Sequence, residues 1–169
     1  LIVNEVNIGL TKSLNKGITA IDTDYIARMD SDDVSRPDRF AVQSEFLDTH
    51  KDVAVIGAYI QEFSDICENL GVRKFPLDTD GAKKLIYKAN PLAHPAVMMR
   101  KSMFDDGISY DENYRTSQDL ALWFDILTAG YNVANIDKVL LNFRRNDSVY
   151  KRRSNRKDSN LEFKVQRNI

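Results

Sequence analysis

The chain has 169 residues with 43% apolar side chains, enough for one domain that buries roughly 70% of the surface its unfolded form exposes. Its 24 Lys and Arg balance 25 Asp and Glu, so total charge argues for neither a nucleic-acid nor a membrane partner. A single cysteine, Cys67, excludes an intrachain disulfide; the expected setting is reducing and cytoplasmic, with the thiol buried or half-buried.

Leu1-Ile2-Val3 reads as a strand already under way, with no basic lead-in or apolar core of a signal peptide. No apolar run in the chain reaches the 18 or so residues of a membrane span. Asn7 and Gly9 predict a turn, after which Leu10, Leu14, Ile18 and Ile21 fall at helical spacing with Gly17 near the end. A strand is expected over residues 25–29. It runs into Asp30-Ser31-Asp32-Asp33, three carboxylates within four positions.

Such a cluster repels itself unless a cation neutralises it, and one hard divalent metal does so by accepting oxygen ligands. An EF-hand does not fit. With Asp30 as first ligand, Val34 fills the fifth place, Ser35 the turn glycine and Ala41 the place of the bidentate Glu. A site with few carboxylates that also uses a substrate phosphate fits better.

Ser35-Arg36-Pro37-Asp38 reads as a capping box that opens a helix running to about residue 50. Residues 53–63 form a β-branched and aromatic strand, and 72–75 an extended return, together an antiparallel excursion. A helix is expected over 80–89, then a loop and short buried strand through His94-Pro95 to Arg100. Residues 118–129 predict a largely buried helix that stops at Gly130, opened by the box Thr116-Ser117-Gln118-Asp119. Two further strands, 132–136 and 139–143, lead to a basic segment. From Arg144 to Lys157 seven basic residues stand against one acid, Asp147. Alternating strands and helices make the chain α/β, with ligands expected beyond the carboxyl ends of strands.

The string from Tyr25 to Phe40, with Gln43, Phe46-Leu47 and residues 53–57 after it, resembles the family 2 glycosyltransferases of GT-A fold. The similarity continues through Asn7-Ile8-Gly9-Leu10, Leu14-Asn15-Lys16-Gly17-Ile18, His94-Pro95 and Gln118-Asp119-Leu120-Ala121-Leu122-Trp123. It implies an incomplete, Rossmann-like, three-layer GT-A fold with a mixed, mostly parallel sheet. Residues 1–143 would be the C-terminal portion of that domain, and 144–169 a basic segment, helical or partly disordered.

The resemblance also implies roles. Asp32 and Asp30 form a D-x-D motif for magnesium or manganese, with Asp32 the direct ligand. Asp30, Asp33, Arg28 and Arg144 would border the nucleotide-sugar donor, and His94 and Gln118 the donor phosphates or the acceptor. Asp119 would be the general base of an inverting transfer to a glycan or lipid-linked acceptor, with Gln118 where the family often has Glu. Arg28 and Arg39 are expected to pair with the acidic loop, and Trp123 to be core. Asn146 stands where many relatives have histidine in an aromatic-Arg-x-His pattern.

The family normally opens with a strand, a helix and a strand ending in an acidic turn. None of these precedes Leu1, so the expectation is a fragment lacking the nucleotide-base half, without transfer activity alone, and able to pair through exposed sheet edges. A parent protein could lie at the inner face of a membrane through other parts. Two other classes compete. The basic segment could bind an anionic partner, although nucleic acid is not expected, since stacking aromatics are sparse there. A metal-dependent phosphohydrolase would want a further nucleophilic carboxylate or histidine cluster.

Overall fold

The structure, a computed structural model, describes residues 1–145. The expectations for 146–169, including Asn146, lie outside the described residues.

The first nine residues form no strand, contrary to the reading of Leu1-Ile2-Val3, because no neighbouring backbone pairs with them. The Asn7–Gly9 turn is present: Gly9 N donates to Asn7 Oδ1 at 3.0 Å, and Gly9 has φ 85°, where a side chain would be strained. Helix α1 follows, Leu10–Thr19. Strand β1 is Tyr25–Ala27 and β2 Val34–Ser35; helix α2 is Arg39–Thr49. Strand β3, Val53–Phe63, occupies the span expected of it, and β4, Gly71–Arg73, folds back on it.

Helix α3 is Thr79–Leu85, a 3-10 turn spans His94–Ala96, and β5 is Met98–Arg100. Helix α4 is Lys101–Asp105, α5 is Gln118–Thr128, and β6 is Asn132–Arg144. The two strands expected at the end are therefore one. Opposite β3 the register passes from Ala58↔Ile136 to Tyr59↔Val139, which loops Asp137 and Lys138 out to solvent without ending the strand.

The strands form one sheet of order β1-β5-β3-β6-β2, with β4 also on β3. The sheet is mixed, as expected, but not mostly parallel. Only β3 and β6 run parallel, while β1–β5, β2–β6, β3–β4 and β3–β5 are antiparallel. Helices α1, α3, α4 and α5 pack on one face around Trp123, Val55, Ile126 and Val133. Helix α2 covers the other face through Leu47, against Ile56, Met98 and Ala134. This three-layer order explains the continuous burial of residues 53–60, which an exposed sheet face would interrupt.

Two buried polar groups fasten the layers. Arg39, fully buried, forms no ion pair with the acidic loop, contrary to expectation. It donates instead to the backbone oxygens of Arg28 (2.7 Å) and Val97 (3.1 Å) and to Gln43 Oε1 (3.0 Å). Gln43 in turn donates to Ile56 O and Ala96 O. The guanidinium thus adds a buried donor to the carbonyls of Arg28 and Val97, where the β1–β5 pairing ends. Burial, with Arg28 nearby, pushes its pKa down to about 10. Cys67 is exposed rather than buried, in the loop between β3 and β4, where its backbone N–H donates to Ser64 Oγ.

Candidate active site

Strand β1 is short, and its pairing with β5 ends at Ala27↔Met98. Arg28 extends that contact by donating its N–H to Val97 O at 3.1 Å, which places the acidic tip beside the turn that carries His94. Arg28, 8% exposed, grips Asp30 by two nitrogens at 2.8 and 2.5 Å. Asp33 N donates to Asp30 O, closing the tip into a turn.

The end of β6 holds the other side of the tip. Arg144 N donates to Asp33 Oδ1 at 2.8 Å and its Nε to Asp32 O at 3.1 Å. Its guanidinium lies over the Phe63 ring at 4.6 Å and pairs with Asp65. Asp33 is 7% exposed, and its pKa is pushed up to about 6. Burial is the main cause and the Asp30 and Asp32 charges add to it, against the Arg144 backbone bond and the Arg28 charge.

His94 is buried. Its Nε2 lies 2.7 Å from the Tyr110 hydroxyl, and its ring meets Trp123 edge-on at 5.8 Å. Burial, then the Arg28 charge, holds its pKa well below the ordinary imidazole value, so the ring is neutral. The phenol of Tyr110 is pushed up, chiefly by burial; Arg28 pulls it down and Asp119 pushes it further. The charges of Arg28, at the root of the acidic tip, and of Asp119 on α5 therefore both act on one side chain.

Asp119, half-buried, is the second residue of α5. The expected Thr116 box does not form. Ser117 takes the cap position at φ 58°, no side chain caps the helix, and Asp119 Oδ2 accepts from Asn90 Nδ2 at 2.6 Å. Gln118 is half-buried and makes no side-chain hydrogen bond among the described residues. Of the buried side-chain atoms without a partner among the described residues, Arg28 Nε, Asp33 Oδ2, Asn90 Oδ1, Thr116 Oγ1 and Trp123 Nε1 belong to residues of this neighbourhood, and the others are on Arg39 and Asn135. Native folds rarely leave such atoms unbonded, so their gathering here is a mark of a ligand surface.

The donor set can be tested against the expected magnesium or manganese. Among the described residues no group of three or more His, Cys, Asp and Glu could hold a metal alone. Both Asp30 oxygens are taken by Arg28, whereas Asp32 is exposed and its carboxylate has no partner among the described residues. Asp33 Oδ2 is unpartnered as well. One or two free carboxylates of hard oxygen, with remaining ligands from phosphate and water, suit magnesium or manganese and do not suit zinc.

A family model described as glycosyl transferase family 2 matches residues 1–108. This chain belongs to glycosyl transferase family 2. The amylovoran biosynthesis glycosyltransferase AmsE of Erwinia amylovora is 33% identical over 150 residues, 88% of this chain and 56% of that protein. An Escherichia coli enzyme named UDP-Gal:alpha-D-GlcNAc-diphosphoundecaprenol beta-1,3-galactosyltransferase is 32% identical over 162 residues, 96% of this chain and 58% of its own. The family 2 chain thus spans little more than half the length of these curated relatives. Among solved structures, residues 1–349 of S. aureus TarS superpose with a TM-score of 0.63 at 18% identity, covering 88% of this chain and 44% of that one. The same protein in complex with UDP-GlcNAc gives 0.62. These neighbours place the family 2 chain in the GT-A fold.

Sequence reasoning did not single out Asn90 or Tyr110 as site residues. Asn90 carries only a turn signal before Pro91, and Tyr110 sits in a polar stretch where an aromatic reads as a loop anchor.

Proposed function

We propose that the protein carrying this chain is a metal-dependent, inverting glycosyltransferase that moves a sugar from a nucleoside-diphosphate donor to a hydroxyl of a glycan or lipid-linked acceptor. The observation that carries the reading is the buried His94–Tyr110 contact, which feels Arg28, the residue that grips Asp30 of the acidic tip, on one hand and Asp119 on the other. The names of the relatives, one a galactosyltransferase with a diphosphoundecaprenol-linked acceptor, support the substrate classes.

In this reading Asp119 takes the acceptor's hydroxyl proton on Oδ1, the oxygen Asn90 does not hold. The acceptor oxygen attacks the anomeric carbon as the bond from that carbon to the diphosphate oxygen breaks, and configuration inverts. A magnesium or manganese ion, held by Asp32 with Asp33 beside it, supplies Lewis-acid stabilisation of negative charge on the diphosphate when bound. Arg28 holds Asp30 through both terminal nitrogens and keeps only its Nε unbonded. Neutral His94 offers a hydrogen bond without adding charge.

The deciding experiment is transfer by the whole protein with Asp119→Asn, which keeps the size and removes the base. A loss of at least 100-fold in kcat is expected, the usual worth of general base catalysis. Near wild-type turnover would end the assignment.

A further inference from the structure

We propose that Asn90 is a positioning residue: it fixes the rotamer of Asp119 so that one carboxylate oxygen is held and the other is left free to take the acceptor proton. The proposal rests on the reading of Asp119 as base.

The geometry comes from the backbone on both sides of the contact. Asn90 precedes Pro91, which restricts its conformation to extended backbone, and Pro91 O accepts from Asn135 Nδ2 at 3.1 Å. Asn135 lies on β6 and also donates to Pro76 O at 2.7 Å, so the turn before His94 is bolted to the centre of the sheet. Asp119 sits one residue into α5, whose Trp123 and Ile126 are fully buried. Two rigid elements therefore meet at the 2.6 Å bond from Asn90 Nδ2 to Asp119 Oδ2, the length of a charge-assisted bond.

The chemistry of the amide points the same way. Turning the amide over would set its oxygen against the carboxylate, so the nitrogen faces Asp119. That orientation leaves Asn90 Oδ1 buried with no partner. The one side-chain hydrogen bond Asn90 makes among the described residues is therefore the one it donates to Asp119. Asp119 accepts no other hydrogen bond among the described residues, neither Thr116 nor Ser117 reaches it, and Thr116 Oγ1 is itself unpartnered. A carboxylate on a helix's first turn without such a partner would rotate between rotamers, and misplacement of a base by even an ångström costs rate rather than binding.

The test is a double-mutant cycle in the whole protein: wild type, Asn90→Ala, Asp119→Asn and the double variant, each read for kcat, donor KM and unfolding midpoint. Asn90→Ala is expected to lower kcat by about 10- to 100-fold with donor KM within about two-fold. In the Asp119→Asn background the same change is expected to cost less than about two-fold, because the group it positions is gone. An unchanged kcat in Asn90→Ala, or the same loss in both backgrounds, overturns the positioning role while leaving Asp119 as base. Near wild-type turnover in Asp119→Asn overturns the base and this proposal with it. If Asn90→Ala unfolds, Asn90→Ser enters the cycle in its place, and the same two ratios decide.

Discussion

Arg28 holds Asp30 through two parallel N–H···O bonds, and the pair is lopsided: the Arg28 side chain is 8% exposed and that of Asp30 41%. The buried partner is the cation. It neutralises one of the three acids of the tip at its root and leaves Asp32 and Asp33 as the carboxylates without a cation partner among the described residues. Arg28→Lys keeps the charge but cannot reproduce the fork. It is expected to lower stability by about 1–3 kcal/mol in urea unfolding, the cost of a charged hydrogen bond broken in a poorly solvated place. An unfolding midpoint equal to wild type would show that the fork contributes nothing beyond its charge.

Asp33 sets a pH dependence of one sign. Its pKa in the fold, about 6, lies above the ordinary 3.8, so the fold favours the protonated acid. The contribution of Asp33 to stability therefore falls as pH rises from about 4 through 6, by up to about 3 kcal/mol. Asp33→Asn keeps an oxygen for the Arg144 N–H and removes the charge. Without divalent metal, the variant should gain on wild type progressively across that window. A stability difference that is the same at pH 4 and pH 7 would mean the carboxylate is not desolvated.

His94 sets the opposite sign. Its pKa in the fold lies well below 6.5, so the stability it contributes is present above that pH and is lost as the solution is acidified through it. His94→Gln is expected to flatten the acid side of the stability curve between about pH 6.5 and 5. Tyr110→Phe, which removes the hydroxyl at 2.7 Å from Nε2, should cost about 1–2 kcal/mol at neutral pH. If His94→Gln unfolds with the same acid slope as wild type, the imidazole is not buried in neutral form.

What the sequence disclosed and what it hid follow from the range of the forces involved. Strand 53–63 and helix 118–129 were legible because apolar patterning is local and each buries most of its apolar side chains. The two capping boxes were not. Ser35 is drawn into β2 by pairing with Leu141, so α2 starts four residues later at Arg39. The left-handed Ser117 shifts Thr116 out of capping register. Asp137-Lys138 reads as a turn, and only the parallel partner β3 keeps the strand going past it. In the site, the acids were visible as a charge pattern, but Asn90 meets Asp119, the backbone of Arg144 meets Asp33 and Tyr110 meets His94 from other parts of the chain. No local rule connects those residues.

Asp32 is the acid the fold does not use. It is exposed, and its carboxylate has no partner among the described residues, so Asp32→Asn should change stability by less than about 0.5 kcal/mol. Manganese affinity measured by titration with a nucleoside diphosphate present should fall about ten-fold or more, because a site with one or two protein carboxylates has little in reserve. Unchanged manganese binding would remove Asp32 from the proposed metal site.

Gly57 bears on the site through the packing of Asn135. It lies in the middle of β3, opposite Asn135 on β6, and a Cβ added there would run into Asn135 Oδ1 and press on Leu92. Asn135 cannot step aside cheaply, because its amide holds Pro76 O and Pro91 O. Gly57→Ala is therefore expected to destabilise by about 1–3 kcal/mol, the usual cost of overpacking a closed interior. The effect should not stop at stability. With Pro91 released, the turn that carries Asn90 and His94 loses its fastening to the sheet, and transfer by the whole protein should fall along with the unfolding midpoint. Asn135→Ala in the Gly57→Ala background makes room for the methyl group and should recover the packing part of the loss. The Pro91 anchor would stay broken, so stability is expected to return further than turnover does. Full recovery of both would show that Asn135 fills space beside Gly57 and does not hold the turn.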